Sequence, residues 1–334
     1  MKAIVQHTYG APEDVLELRE IDTPVVEAGE VLLRVRASSV HTDVWHVVMG
    51  FPFVLRLMGA GLRRPRQPVP GTDAAGTVEA VGPGVTRFQP GDEVFGETHM
   101  GMQWVNGGSF AEFVSVPQDA LAHKPANISF REAAAVPTPG FIAVHNLGDH
   151  VHAGGRVLIN GAGGAVGSIA LQIAKSYGAH VTAVDHGEKL DMLRSLGADR
   201  VVDYTNEDIT RGDERYDLIF DVASNLSLRA CKSVLARDGG YVFIGHDHFD
   251  TARGRILGSV PRGIGSVILS PFSRHLIANV TTPAKRMVMK TLAKLMKSNQ
   301  LTPIIDRTYP LEEVPKALEY LQTERTRGRV VITL

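Results

Sequence analysis

The spacing of apolar and polar residues changes along this chain near residue 125. Before that point, short apolar runs stand between turn residues, as in EVLLRVRASSV (30–40), DAAGTVEAVG (73–82) and GSFAEFVSVP (108–117). Runs of this length, separated by Pro and Gly, are typical of antiparallel strands. The pattern therefore predicts a barrel-like β domain in the first third of the chain.

From residue 156 onward, apolar strands alternate with amphipathic helices. The predicted strands are 156–161, 180–185, 200–204, 216–223 and 239–245, and the helices between the first three are 165–178 and 187–197. Alternation of this kind predicts a parallel, doubly wound sheet, so the fold class is α/β.

The last part of the chain returns to a different pattern. Two amphipathic helices are predicted near 284–298 and 311–323, followed by a strand at 328–334 that could rejoin the β domain. We therefore predict that residues 1–122 and 275–334 form one domain and residues 123–274 the other. Such a division suits a chain of 334 residues.

A glycine-rich loop links the first parallel strand to its helix in VLINGAGGAVGSIALQIAK. Glycines permit a tight turn and a close backbone approach, and the helix N-terminus presents free N–H groups to an anion. Asp185 ends the next strand, 18 positions after Gly167. This strand–turn–helix context predicts a dinucleotide site rather than a turn that only packs the helix on the sheet.

Charge and cysteine content exclude several classes of protein. The formal net charge is −1, so no global basic field is available to hold nucleic acid or an anionic membrane. The densest basic run, GLRRPRQP (61–68), is interpreted as a solvated loop. The single cysteine, Cys231, permits no intrachain disulfide and is expected in the core.

No targeting or membrane segment is evident. The N-terminal MKAIVQHTYG lacks a long apolar stretch, and no uninterrupted apolar run reaches about 18 residues. We therefore expect a cytoplasmic protein.

The order of motifs resembles the medium-chain dehydrogenase/reductase superfamily. The stretches that carry the resemblance are GTDAAGTVEAVGPGVTRFQPGDEVFG (71–96), GSFAEFVSVP (108–117), AAAVPTPGFIAVHNL (133–147), VLINGAGGAVGSIALQIAKSYGAHVTAV (157–184) and LGADRVVDY (196–204). Within the superfamily the chain is similar to the zinc-independent, quinone-oxidoreductase-like branch. That resemblance implies a GroES-like β-barrel domain, a Rossmann domain and a homodimer.

The resemblance also implies where a catalytic zinc would lie. The positions that hold zinc in metal-dependent relatives correspond here to His41, Thr72, Asp73 and Thr138. Two of these four are threonines, which are poor zinc ligands, whereas a catalytic site needs three good ones. No zinc is therefore expected.

Without a metal, a side chain must supply the proton that follows hydride transfer. Both His41 and His46 fall near the expected nicotinamide pocket, and histidine titrates near neutral pH. Each can instead be a pocket wall or a hydrogen-bonding residue. Trp45 is expected to pack, and Asp43 to lie at the surface. A metal pair of His246 and His248 is a weaker hypothesis.

Signals for the choice of cofactor conflict. A carboxylate at Asp185 favours NADH because it can bind the ribose hydroxyls and would repel a 2′-phosphate. Lys189 and Tyr204, however, match positions that contact that phosphate in NADPH-using relatives, so NADPH is slightly preferred. The resemblance further implies nucleotide contacts from Thr138, Asn160, Gly161, Gly164, Ala165, Val166, Gly167, Ile244, Gly245 and Arg329.

The expected substrate is a small apolar molecule already activated toward hydride, because the site lacks a strong Lewis acid. An insertion at 47–68 could form a lid over it or extra packing. The sequence thus predicts an NAD(P)H-dependent reductase of quinones or α,β-unsaturated carbonyl compounds. An alcohol or carbonyl dehydrogenase and a nucleotide-binding redox sensor without turnover remain alternatives.

Overall fold

A computed structural model describes residues 1–101, 105–245, 256–279 and 282–334. Two sheets dominate it. The first joins the N-terminal strands to the end of the chain in the order β14-β15-β3-β4-β5-β7, with β6 beside β3. Its strands are β3 (Glu30–Val40), β4 (Asp73–Val81), β5 (Glu93–Glu97), β6 (Phe113–Pro117), β7 (Leu121–His123), β14 (Ile305–Pro310) and β15 (Arg329–Thr333), and β1 (Lys2–Gln6) pairs separately with β2 (Leu16–Glu20).

The prediction that the terminal strand rejoins the β domain is confirmed. β15 pairs antiparallel with β3, Val330 opposite Val40, and its first four residues are buried. β15 can lie between β14 and β3 because it is apolar on both faces. One face packs on the parallel-sheet core and the other on the β-domain core.

The second sheet is parallel, as predicted. Its order is β10-β9-β8-β11-β12-β13. The strands are β8 (Arg156–Asn160), β9 (His180–Asp185), β10 (Arg200–Asp203), β11 (Tyr216–Asp221), β12 (Leu235–Phe243) and β13 (Leu276–Ile277). Counted along the chain, this is the order 3-2-1-4-5-6. The strand order reverses between β8 and β11, where such sheets bind ligands beyond their carboxyl ends.

The helices of the described residues include the four that the sequence predicted, each of them shorter than predicted. They are α1 (Pro12–Val15), α2 (Thr42–Met49), α3 (Phe130–Ala134), α4 (Pro137–Leu147), α5 (Ala165–Ser176), α6 (Leu190–Ser195), α7 (Leu228–Cys231), α8 (Val260–Leu269), α9 (Lys285–Lys297) and α10 (Val314–Leu321). The helix predicted at 187–197 begins with a 3-10 turn at Gly187–Lys189, because the His186 ring accepts the Glu188 N–H and caps a tighter turn.

One predicted boundary differs from the sheet pairing. The sequence assigned residues from 275 onward to the β domain, whereas Leu276 in β13 pairs with Tyr241 of the parallel sheet. The two-residue strand is too short to give a period of its own. The rest of the predicted domain division stays a prediction.

The main core lies between the parallel sheet and helices α4, α5 and α9. Leu171, Phe220 and Leu292 are fully buried there. Cys231 is buried in a second cluster, as predicted, and burial raises the pKa of its thiol to about 12. In the described ranges, no helix is both long and apolar enough to cross a bilayer.

Candidate active site

A cleft with a volume of about 320 Å³ opens at the point where the parallel strand order reverses. Volumes from 300 Å³ upward are usual for small-molecule sites. Nearly all residues predicted to contact the nucleotide line it, although they come from distant parts of the chain. These are Thr138, Asn160, Gly161, Gly164, Ala165, Val166, Asp185, Lys189, Tyr204, Ile244, Gly245 and Arg329.

The glycines of the loop serve different purposes. Gly161 has a φ of +81°, which favours glycine at the turn. A Cβ on Gly164 would meet only the Gly161 carbonyl oxygen at 3.8 Å, so its open side faces the cleft. A Cβ on Gly167 would lie 2.2 Å from that same oxygen. Gly167 therefore packs helix against strand and, unlike its predicted role, does not line the cleft.

The loop and helix fit the pyrophosphate of a dinucleotide. Gly164 caps α5 with extended backbone and no side-chain hydrogen bond, so the first N–H groups of the helix are not blocked by a capping side chain. Gly163 N–H is not among the free donors because it donates to Asp185 Oδ2 at 2.6 Å. Asn160 lines the cleft, but its Nδ2 donates to Asp221 and Asn225, each at 2.7 Å.

Asp185 and Lys189 form an ion pair at one end of the cleft. Lys189 Nζ lies 3.2 Å from Asp185 Oδ1, and both side chains are almost buried. Oδ1 also accepts the His186 N–H at 2.8 Å. Tyr204 is about half exposed beside the pair, and burial followed by the Asp185 charge raises the pKa of its hydroxyl. The carboxylate is thus neutralised rather than free to repel an anion.

The C-terminal strand reaches the glycine loop directly. Gly328, just before β15, donates its N–H to the Gly163 carbonyl at 2.9 Å, and a parallel bridge joins it to Gly164. The next residue, Arg329, lines the cleft. Both sheets therefore contribute backbone to the same wall.

Arg329 is held by a buried carboxylate beneath the cleft. Its Nη2 lies 2.5 Å from Asp73 Oδ2, and its Nε donates to Ser39 Oγ at 3.0 Å. Thr138, in the first turn of α4, donates its backbone N–H to Asp73 Oδ1 at 3.1 Å. Burial lowers the pKa of Arg329, and the Asp73 charge opposes that effect. The Asp73 carboxylate thereby accepts a hydrogen bond from the N-terminus of α4 and also neutralises the Arg329 cation, which lines the cleft.

A second buried ion pair lies next to the first. Lys285, the first residue of α9, places Nζ 2.9 Å from Glu97 Oε2 and donates to the His99 carbonyl at 2.7 Å. The Thr138 hydroxyl joins the two pairs, since Oγ1 lies 2.5 Å from Asp73 Oδ1 and 3.2 Å from Glu97 Oε1. The two cations balance the two carboxylates in a nearly buried region next to the cleft.

These residues do not fit a catalytic zinc. The Asp73 carboxylate is already bound through both oxygens by Arg329, Ser39 and Thr138. Over the described ranges, no group of three His, Cys, Asp or Glu residues could hold a metal ion. The pair His246 and His248 falls outside the described residues. Hydrogen bonds and ion pairs instead occupy the polar side chains of His41, Thr72, Asp73 and Thr138.

His41 lies on the cleft wall between two polar partners. Its Nε2 is 2.7 Å from Thr72 Oγ1, and its Nδ1 is 3.4 Å from Asp43 Oδ2. Asp43 also lines the cleft, so it is part of this site rather than a surface residue. With a proton on Nδ1 facing Asp43, Nε2 accepts from the threonine hydroxyl. Both ring nitrogens therefore have a polar partner, which fixes the ring on the cleft wall.

His46 is not among the residues that line the described cleft, and its predicted catalytic role stays a prediction. It lies on the buried side of α2 with its ring against Trp45, and its Nδ1 is 2.9 Å from the Phe51 carbonyl oxygen. A carbonyl only accepts, so Nδ1 carries the proton. This bond closes the turn after α2. Trp45 is buried, as predicted.

The insertion at 47–68 also lies away from the described cleft lining. It completes α2 and then forms a π-helix at Arg56–Ala60. The Arg56 guanidinium stacks 4.2 Å from the Tyr9 ring centroid and its Nε donates to the Gly50 carbonyl at 2.8 Å. The prediction that this segment covers the cleft is therefore not supported by the described contacts.

Sequence reasoning missed the Glu97–Lys285 pair. The available signal was physical: a lysine at the first position of a helix opposes the helix dipole, and a carboxylate ends the apolar run VFGE. A lysine at a helix N-terminus and a carboxylate in a buried strand are each unfavourable alone, and the ion pair between Lys285 and Glu97 explains both. Nothing in the spacing of residues 97 and 285 indicates that they meet.

Comparisons with known proteins agree with this architecture. A model described as "Alcohol dehydrogenase GroES-like domain" matches residues 27–126, and one described as "Zinc-binding dehydrogenase" matches residues 196–332. The first supports the predicted GroES-like domain. The second carries a name that the donor set around Asp73 does not fit.

Among the relatives found, two plant enzymes are more than 30% identical to this chain. The "NADPH-dependent alkenal/one oxidoreductase, chloroplastic" of Arabidopsis thaliana is 32% identical over 99% of this chain and 79% of its own. The "2-methylene-furan-3-one reductase" of Solanum lycopersicum is 31% identical over 99% and 79%. Among solved structures, the quinone oxidoreductase from Coxiella burnetii superposes with a TM-score of 0.83 at 25% identity, covering 100% of this chain and 99% of that one.

The predicted fold class is confirmed by these matches, and so is the predicted resemblance. The chain belongs to the medium-chain dehydrogenase/reductase superfamily, in its quinone-oxidoreductase-like branch.

Proposed function

We propose that this protein is an NAD(P)H-dependent oxidoreductase that reduces α,β-unsaturated carbonyl compounds or quinones without a metal ion. The observation that carries the proposal is the state of Asp73, whose buried carboxylate is bound by Thr138 and Arg329, two residues that line the nucleotide cleft. A site with this donor set suits acceptors that are already activated toward hydride. The names of the two plant relatives point to the same class of substrate.

The chain's own residues have separate tasks in this reaction. The backbone of the glycine loop and the N-terminus of α5 bind the pyrophosphate, and Arg329, whose guanidinium Asp73 holds, contributes to the same wall. Bound NAD(P)H supplies the hydride. The protonated ring of His41 gives its Nδ1 proton, on the side of Asp43, to the reduced substrate, and the Nε2 proton stays on the ring and is donated to Thr72 Oγ1.

We propose NADPH as the preferred cofactor. Asp185 is neutralised by Lys189 and accepts the Gly163 N–H, which weakens the repulsion expected for a 2′-phosphate. Lys189 and Tyr204 then offer a cation and a hydroxyl to that phosphate. NADH remains the alternative if the ribose hydroxyls bind the same carboxylate.

Turnover with a panel of acceptors tests the proposal. Purified protein is assayed with NADPH and with NADH against enones, quinones, aldehydes and, in the oxidative direction, simple alcohols. We expect oxidation of NADPH with enones or quinones and little reaction with alcohols. Tight NADPH binding without turnover on any acceptor would favour a redox sensor, and turnover restricted to alcohols would favour a dehydrogenase.

A homodimer and a cytoplasmic location stay proposals. The dimer rests on the family resemblance and the location on the sequence expectation. Light scattering at several protein concentrations tests the first, and cell fractionation tests the second.

A further inference from the structure

One arginine of α8, Arg262, binds the loop that follows β11. Its Nη1 donates to the Ser224 carbonyl oxygen at 2.5 Å, and its Nη2 donates to the Leu226 carbonyl oxygen. The same Nη2 lies 3.1 Å from the Tyr241 hydroxyl oxygen, and the guanidinium stacks 4.1 Å from the centroid of the Phe243 ring. These contacts join α8 to the loop after β11 and to β12.

The loop that this arginine holds, residues 222–226, is part of the cleft wall. Three of its residues line the cleft, namely Val222, Ala223 and Asn225. The Asn225 Oδ1 accepts a hydrogen bond from Asn160 Nδ2 at 2.7 Å, so the loop also contacts the end of β8, where the glycine loop begins. A displacement of the loop backbone would therefore move atoms of the cleft wall directly.

Ser224 is the residue of this loop whose backbone most needs support. Its φ is +57°, in the left-handed region that residues other than glycine rarely adopt. Such a conformation persists where the surrounding contacts fix it. Arg262 binds the Ser224 carbonyl, and Ser224 Oγ accepts the N–H of Gly245, which lines the cleft, at 2.9 Å. The loops after β11 and β12 are thereby fixed to each other.

The charge of Arg262 also has a role beneath the loop. Asp221, the last residue of β11, is fully buried, and its Oδ2 accepts the Tyr241 hydroxyl at 2.8 Å. Its Oδ1 accepts the Ser224 N–H at 2.9 Å. Burial raises the pKa of the Asp221 carboxyl, whereas a nearby cation favours the ionised form. Arg262 is the cation that shares the Tyr241 hydroxyl with this carboxylate.

The position of these loops decides which half of the cofactor they face. Asp185 and Lys189 lie at the end of β9, on one side of the point where the strand order reverses, and the loops after β11 and β12 lie on the other side. A dinucleotide binds across that point with one mononucleotide on each side. Since the acidic residue after the second strand binds the adenosine ribose, the loops that Arg262 holds face the nicotinamide half.

We propose that Arg262 is a positioning residue for the nicotinamide half of the cofactor. Arg262 is not among the residues that line the described cleft, so it acts through the backbone of residues 222–226. Like the proposed function on which it rests, this role takes a nicotinamide dinucleotide as the ligand. Loss of the guanidinium should disturb the nicotinamide half and leave the adenosine half bound as before.

A whole cofactor and its adenosine fragment separate the two halves. Dissociation constants are measured by isothermal titration for NADPH with 2′,5′-ADP, and for NADH with ADP. Arg262→Met should weaken binding of the preferred dinucleotide about tenfold and change the affinity for its fragment less than about twofold. At saturating cofactor, kcat with an enone or quinone should fall about tenfold as well, because small displacements of reacting groups are costly.

Arg215→Met is the matched control. Arg215 also donates to backbone carbonyls, those of Gly212, Asp213 and Glu214, but it precedes β11 at the end of the strand opposite the cleft. This variant should bind both ligands and turn over as the wild type does. Arg262→Lys keeps the charge without the planar fork of donors, so it should recover part of the lost affinity for the dinucleotide.

Two results with folded Arg262→Met would overturn the proposal. One is an equal loss of affinity for the dinucleotide and for its adenosine fragment, and the other is binding and kcat equal to the wild type. Melting curves verify that each variant is folded. If Arg262→Met does not fold, the same comparison on Arg262→Lys decides, and a loss confined to the dinucleotide supports the proposal. Wild-type protein that binds neither NADPH nor NADH would refute the proposed function and this role with it.

Discussion

Asp185 and Lys189 neutralise each other at the end of the cleft, and this changes what a substitution at either position measures. Removing Lys189 leaves an almost buried carboxylate without its cation, so stability and cofactor affinity would fall together. Removing the oxygen that accepts the Gly163 N–H would disturb the loop itself. Substitutions must therefore keep the shape of each side chain while changing its charge.

Asp185→Asn with Lys189→Met separates the charges from the packing. Lys189→Met alone should weaken NADPH about tenfold or more relative to NADH, because a charge-assisted hydrogen bond is worth roughly 1.5–3 kcal/mol. Asp185→Asn keeps an acceptor for Gly163 and should shift preference further toward NADPH. Dissociation constants for both cofactors on the three variants provide the measurement. Equal losses of both cofactors on Lys189→Met would contradict the NADPH preference.

His41 and His46 form a natural pair for testing the proton donor, since both residues are 6% exposed and only His41 lines the described cleft. His41→Asn should lower kcat about a hundredfold, the usual scale of general acid catalysis, with NADPH affinity nearly unchanged. His46→Asn should lower stability by losing the bond to Phe51 while kcat stays close to wild type. The assignment is wrong if the two effects are exchanged.

At the scale of elements, two glycines of the same loop, Gly164 and Gly167, have different roles. Gly164→Ala should leave thermal stability without cofactor almost unchanged, because its Cβ enters open space, and should weaken NADPH binding about tenfold. Gly167→Ala should destabilise the protein by roughly 1–3 kcal/mol, because its Cβ would meet the Gly161 carbonyl at 2.2 Å. Melting curves and binding titrations on both variants distinguish the two. Identical behaviour would refute the division of roles.

The elements themselves were largely readable from the sequence. Strand–helix alternation and the loop around Gly161 predict the parallel sheet and its ligand crevice, because both depend on local periodicity and turn chemistry. The partners of Asp73 were not readable. Arg329 is 256 positions away and Lys285 is 188 positions from Glu97, so only the closed fold brings them together. Spacing alone also cannot tell which side of α2 faces the cleft, and His46 lies outside the described cleft lining.

At the scale of the whole molecule, the buried polar region makes stability depend on pH. Burial, with the Lys285 charge acting in the same direction, lowers the pKa of His99 to about 4 from 6.5. Below about pH 6.5 the His99 side chain takes up a proton in the unfolded chain but stays neutral in the folded protein. The contribution of His99 to the free energy of unfolding is therefore complete above that pH and is lost as the pH falls toward 4. Urea unfolding should show about 2 kcal/mol less stabilisation at pH 5 than at pH 7 from this group. His99→Gln should remove that part of the pH dependence.

Metal content is a second property of the whole molecule. Because Asp73 is bound by Arg329 and two of the former ligand positions are threonines, purified protein should contain much less than one zinc per chain. Chelators should leave both NADPH oxidation and the melting temperature unchanged. Stoichiometric zinc with chelator-sensitive turnover would reverse the argument about substrates.

The hydrogen bond from Gly328 to Gly163 has a consequence for how such chains can recombine. The glycine loop is held in part by the residue that precedes β15, a strand of the other sheet. If the nucleotide-binding domain were replaced by that of a relative, its glycine loop would lose the matching backbone partner unless the segment leading into β15 were replaced as well. Chimeras that exchange residues 123–274 alone should bind cofactor worse than chimeras that also exchange the segment from 322 to 329. Cofactor binding in this chain therefore depends on the sequences of both domains together.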